Sequence, residues 1–185
     1  MKTLTEIIDF HGSDKNLSGY TKKYEELFES IRNEKFSMLE IGIGTIKPGV
    51  NSSMEATKIK NYKPGASLRS WKEYFSNAMI YGGDVQDDTQ FEEERIKTFL
   101  FDSTNKEECD NTLGNMTFKI IIDDGLHTAD AQIATYNNLY KRVENGGIYV
   151  IEDINQGKIR EYIYNIFGSD NVYTSQPGNL IIIKK

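Results

Sequence analysis

The chain has 185 residues, of which 22 are basic and 28 acidic, for a formal charge of −6 at pH 7. That length suits one domain with a full core, and 38% hydrophobic against 27% charged residues excludes a disordered or fibrous chain. The acidic balance disfavours a broad grip on nucleic-acid phosphates, the lone Cys109 excludes an internal disulfide and a cysteine-rich zinc site, and no apolar run approaches the roughly 20 residues of a membrane span.

The N-terminus, Met1 to Glu6, carries an acid and no apolar signal core, so the expected location is cytoplasmic. Residues 1–35 read as an N-terminal helical segment able to act as a lid, because Tyr24, Leu27, Phe28 and Ile31 form one apolar stripe within 20–32. A strand is predicted over 36–43, followed by a loop insertion over 45–66 with no helix until about Ser67. The stripe Leu68, Trp71, Tyr74 and Phe75 then predicts a helix over 67–77. Strands follow over 79–85, 96–101 and 118–123, a helix over 129–143, a strand over 147–152 and a helix over 158–167. Two last strands, 171–175 and 180–183, are joined by too few residues for a parallel crossover, which predicts an antiparallel hairpin. Runs such as Ile120-Ile121-Ile122 and Ile148-Tyr149-Val150-Ile151 are continuously apolar, as in strands covered on both faces. The expected fold is therefore α/β, one domain over 1–185 with a doubly wound, mostly parallel seven-stranded sheet.

In such a sheet, ligands bind beyond the carboxyl ends of the strands. The first predicted strand ends in Glu40-Ile41-Gly42-Ile43-Gly44, where glycines let a ligand approach the backbone closely. Alone this is a weak motif. The next strand ends in Asp84, placed to accept both hydrogen bonds of a ribose diol, and the third in Asp102-Ser103, facing an adenine or capping the following helix. The missing glycine-to-helix turn disfavours a dinucleotide cofactor.

With these residues the chain resembles the class I S-adenosylmethionine (SAM)-dependent methyltransferases. Asp123-Asp124-Gly125-Leu126-His127, Glu152-Asp153, Gly12-Ser13-Asp14-Lys15 and Gly65-Ala66-Ser67-Leu68-Arg69-Ser70-Trp71 narrow the resemblance to the metal-dependent macrolide-sugar O-methyltransferases, over about residues 10–185. It implies SAM held by Glu40, Gly42, Gly44, Ser67, Asp84, Asp102, Ser103 and Asp123. Leu126 stands where serine is expected, and Ser18 where a histidine often precedes Gly-Tyr. The additional N-terminal domain of the macrolide enzymes has no counterpart in these residues, so their oligomer and acceptor do not carry over.

The residues make their own case for a metal. Asp124, Glu152 and Asp153 are hard oxygen ligands suited to Mg2+ or Mn2+, although Glu152 and Asp153 converge only if the strand has already turned. His127, three residues after Asp124, is placed to be the general base that deprotonates an acceptor hydroxyl, with Asp124 beside it. Acid pairs after strands are also frequent helix caps, and a lone histidine is often structural. The expected activity is methyl transfer from SAM to a sugar hydroxyl of a nucleotide sugar, glycan or glycoside. A catechol-like diol acceptor and a non-catalytic SAM-binding module remain alternatives.

Overall fold

The computed structural model describes residues 2–185 except 51–52, 57–58, 60–61, 156, 169–171 and 176–178. Its sheet is built from β1 (Ser37–Ile41), β2 (Met79–Asp84), β3 (Glu92–Glu93), β4 (Ile96–Leu100), β5 (Phe118–Asp123), β6 (Val143–Ile151), β7 (Val172–Ser175) and β8 (Leu180–Lys184). The strand order is β3-β4-β2-β1-β5-β6-β8-β7. Pairs among β4, β2, β1, β5 and β6 are parallel, while β3, β8 and β7 join antiparallel. All seven expected strands are present. The two-residue β3, too short to carry a period, adds an eighth at the edge. Of the terminal hairpin, 176–178 lie outside the described residues, as does residue 171, but the antiparallel pairing of β7 with β8 stands.

Pleating divides the apolar runs between two cores. Met38, Ile122 and Val150 face helices α1 (Leu4–His11), α2 (Thr21–Phe28) and α3 (Ala66–Tyr74), where Tyr24, Phe28 and Trp71 are fully buried. Leu39, Ile121, Tyr149 and Ile151 face the opposite way, towards α4 (Lys106–Leu113), α5 (Ala129–Leu139) and α6 (Gly157–Phe167). Such two-sided burial is why the strands lack alternation.

One helix, α1, lies in the expected helical segment 1–35 but outside its stripe, and another, α4, was not expected from the sequence. In α1, Thr3 and Glu6 close a capping box and Leu4, Ile7 and Ile8 turn inward, a signal that is legible in retrospect. In α4 only Cys109 and Leu113 are buried, too few for a stripe, and Asn105 supplies the N-cap. The predicted helix over 129–143 ends early, at Leu139, and passes through a 3-10 turn, Tyr140–Arg142, into a longer β6.

Candidate functional site

The strand order reverses about β1, so β1→β2 and β5→β6 build outward in opposite directions and leave a crevice at their carboxyl ends. A cavity of about 470 Å3 lies there, lined by Gly42, Gly44, Asp84, Asp102, Asp124 and His127 among others. The volume falls in the range of small-ligand sites.

At the cavity's glycine end the backbone leaves no room for side chains. Gly42 and Gly44 have φ of 88° and 86°. A Cβ on Gly42 would stand 1.9 Å from the Asp124 carbonyl oxygen, and one on Gly44 would stand 2.1 Å from the Tyr62 hydroxyl. Asp84 Oδ2 accepts the Ile43 N–H at 2.8 Å and Oδ1 accepts the Gln86 N–H at 2.9 Å. Each oxygen keeps a lone pair for a ligand hydroxyl. Asp102 also lines the cavity, its Oδ1 accepting from the Thr104 N–H and hydroxyl, so it shapes its own turn while Asn105 caps α4. Ser103, bonded to Thr135, and Ser67, in the first turn of α3, complete the wall.

Three expected site residues do not line the cavity. Asp123 belongs to the opposite face of β5, is 2% exposed, and bonds only the Gly125 N–H through Oδ1. Burial pushes its carboxyl up to about 7. Glu40 and Glu152 share the inner face of Met38, Ile122 and Val150, and both lie beneath the cavity. Trp71 Nε1 donates to Glu40 Oε2 at 2.7 Å, and Tyr24 donates its hydroxyl to Glu152.

Between these two acids and Asp124 sits Lys15, 1% exposed. Its Nζ lies 3.0 Å from Glu40 Oε1, 2.9 Å from Asp124 Oδ2 and 2.7 Å from Glu152 Oε1. Glu40 Oε1 makes no hydrogen bond, so that contact is an ion pair off the bonding direction. One ammonium faces three carboxylates, and burial drives the site to shed the excess. Burial opposes the Lys15 charge, but Asp124, Glu152 and Glu40 together hold it well above the usual lysine range. Burial raises Glu152 and Glu40 towards their neutral forms, whereas Lys15 and His127 overcome burial at Asp124 and hold it low.

Asp124 turns its other oxygen to the cavity. His127 Nε2 lies 3.1 Å from Asp124 Oδ1, and His127 Nδ1 lies 3.3 Å from Asp153 Oδ2. Asp153 reaches this position because the chain leaves β6 at Ile151 and Asp153 takes φ of 51°, unusual for a non-glycine residue. With a carboxylate at each ring nitrogen, the hydrogen bond to Asp124 first and the charges of Asp124 and Asp153 next raise His127 to about 9. A ring nitrogen that donates to a carboxylate has no lone pair free to accept a proton.

Ligand atoms of Asp124, His127 and Asp153 lie within 4.8 Å of one another, and the two carboxylates among them supply hard oxygen donors suited to a divalent cation. Glu152, expected in this set, is not brought into it. The strand had not turned by residue 152, so the pleat directs that side chain to Lys15 and Tyr24. The sequence reading missed Lys15, Tyr20, Tyr24 and Tyr62. Lys15 and Tyr20 fall in segments that the resemblance picks out, but nothing local signals partners 109 and 133 residues away.

No family model matches the chain. It is 36% identical over 141 residues to demethylmacrocin O-methyltransferase of Streptomyces fradiae, covering 75% of this chain and 32% of that protein. It is 32% identical over 148 residues to 8-demethyl-8-alpha-L-rhamnosyl tetracenomycin-C 2'-O-methyltransferase of Streptomyces olivaceus, covering 78% of this chain and 35% of the relative. A solved methyltransferase of the mycinamycin biosynthetic pathway, in complex with Mg, SAH and mycinamycin VI, superposes with a TM-score of 0.79 at 25% identity, over 100% of this chain and 53% of that one. The chain belongs to the class I SAM-dependent methyltransferases. The chain spans about a third of the length of those two curated relatives. Among its described residues no helix is long and apolar enough to cross a membrane.

Proposed function

We propose that this methyltransferase transfers the methyl group of SAM to a sugar hydroxyl with the help of a divalent cation, Mg2+ or Mn2+. The observation that carries the reading is the placement of Asp124, His127 and Asp153 in the wall of the same cavity as the glycine cradle of Gly42 and Gly44, with Gly42 packed against the Asp124 backbone. The similarity to a 2'-O-methyltransferase of a rhamnosyl tetracenomycin supports the acceptor class.

In this reading Gly42, Gly44 and Ser67 bound the donor, Asp84 receives its ribose, and Asp102 and Ser103 wall the base. Glu40 and Asp123 support the same strand ends from below. Asp124 and Asp153 hold the cation, with Glu152 as its buried neighbour. A cation held there would supply Lewis-acid chemistry to the acceptor hydroxyl, and Asp124 and Asp153 would then share their charge between it and His127. With its extra proton lost to solvent, His127 is placed to accept the proton of the acceptor hydroxyl as that oxygen attacks the methyl carbon and the carbon–sulfur bond breaks, leaving SAH. The remaining work is alignment of oxygen, methyl carbon and sulfur, which accounts for several kcal/mol of barrier.

We place the segment 1–35 and the loop 45–66 as covers of the acceptor. Ser13, Asp14, Thr45, Met54 and Tyr62 of these segments line the cavity. A sugar acceptor, no nucleic-acid partner, a cytoplasmic location and a homo-oligomer complete the proposal. It is tested by SAH release from SAM with Mg2+ and a panel of nucleotide sugars, natural-product glycosides and catechols. Turnover of a sugar that chelation abolishes supports it. Turnover of catechols alone replaces the acceptor class, and absence of SAM binding by calorimetry contradicts the whole.

A further inference from the structure

The two carboxylates astride His127 are each held from behind by the same short turn. Asp124 gives Oδ1 to His127 and Oδ2 to Lys15. Asp153 gives Oδ2 to His127 and Oδ1 to the hydroxyl of Tyr20. Lys15 and Tyr20 open and close one turn between α1 and α2, and its backbone fixes their separation through Tyr20 N–H to Lys15 C=O at 3.0 Å and Ser18 N–H to Asp14 C=O at 3.1 Å. The Tyr20 hydroxyl also accepts the Asp153 N–H at 3.3 Å, so it supports both the carboxylate and the left-handed backbone that delivers it. Tyr20 is 3% exposed, with its ring edge-on to Tyr24.

We propose that Tyr20 is a positioning residue, acting with Lys15 across this turn, that sets the separation of Asp124 and Asp153 and so the affinity for the divalent cation. The inference rests on the metal reading above. A carboxylate ligand left without its outer hydrogen bond can rotate, and loss of such a partner commonly weakens metal binding by about 10–100-fold. Neither Tyr20 nor Lys15 lines the cavity, so the donor end should not register the change.

The test is Tyr20→Phe in the metal-stripped full chain, titrated with Mn2+ and followed by the EPR signal of free Mn2+. Donor affinity is read by calorimetry with SAM and folding by circular dichroism. The expected result is an Mn2+ dissociation constant raised about 10–100-fold with SAM affinity within about twofold, and turnover largely restored at saturating Mn2+. A purely structural role would lower SAM affinity alongside and would not respond to added metal. Mn2+ affinity equal to that of the unaltered chain overturns the inference while leaving the metal reading intact. Absence of Mn2+ binding by the unaltered chain overturns both. Should Tyr20→Phe not fold, Gly19→Ala disturbs the same turn, where Gly19 has φ of 78°, without removing either group. Weaker Mn2+ binding in that variant supports the inference, and unchanged binding overturns it.

Discussion

Two charge clusters in this molecule mirror each other. Beneath the cavity one cation, Lys15, faces Glu40, Asp124 and Glu152. On the far surface one acid, Asp110, faces Lys106 at 2.6 Å and Lys141 and Arg142 at 2.8 Å each. Their geometry is alike but their surroundings differ, for Lys15 is 1% exposed and the Asp110 side chain 35% exposed. Water and salt screen the two lysine pairs of the outer cluster, which add little, although Arg142 itself is buried. In the inner cluster desolvation dominates, and removing one partner strands the others. Burial, rather than the number of pairs, separates a functional charge site from a surface one.

The largest expected effect breaks the inner cluster. Lys15→Met leaves buried carboxylates without a counter-charge and should destabilise the fold by about 3–5 kcal/mol in urea unfolding. A loss below about 1 kcal/mol would mean that water reaches the cluster. Next, His127→Ala should keep SAM affinity by calorimetry while turnover falls at least ~100-fold, the general-base magnitude. Unchanged turnover would remove His127 from the chemistry. Gly42→Ala strikes where the glycine cradle meets the acid cluster. Its Cβ meets the Asp124 carbonyl oxygen, so SAM binding and metal affinity should both weaken, about tenfold or more, whereas Gly114→Ala, with open space around it, should alter neither.

The smallest effect belongs to the outer cluster. Lys106 and Lys141 hold the Asp110 carboxyl well below the usual carboxylate range. A lowered carboxyl adds stability above its unfolded value of about 3.9, and that stability is lost as pH falls through the lower folded value. Asp110→Asn should therefore lower Tm by about 2 °C or less at pH 7, and the difference should vanish in strong acid. A larger shift at pH 7 would show that exposure is not what separates the clusters.

The sheet was legible because Ile120–Ile122 and Ile148–Ile151 carry their burial in composition, and strand ends then pointed to Asp84, Asp102, Asp124, His127 and Asp153 as cavity residues. The pleat decided the rest. Asp123 and Glu152 adjoin true cavity residues in sequence, but alternation sends their side chains to opposite faces of the sheet, away from the crevice. Parity places Asp123 on the face of Ile121 and of its own register partner Ile41, but Ile41 lines the cavity, so parity alone could not have set Asp123 apart. Nor could it have shown the left-handed turn at Asp153, because no glycine marks it. Lys15 and Tyr20 were hidden for a different reason: their partners lie 109 and 133 residues away, a distance that no local pattern spans.

The most direct measurement of the central claim is anomalous diffraction from crystals grown with SAH and excess Mn2+. The account predicts a manganese peak between Asp124 and Asp153, with oxygens at about 2.1–2.2 Å and SAH lying over Gly42 and Gly44. SAH bound in that cradle with no manganese at those carboxylates, and His127 still bridging them, would contradict it.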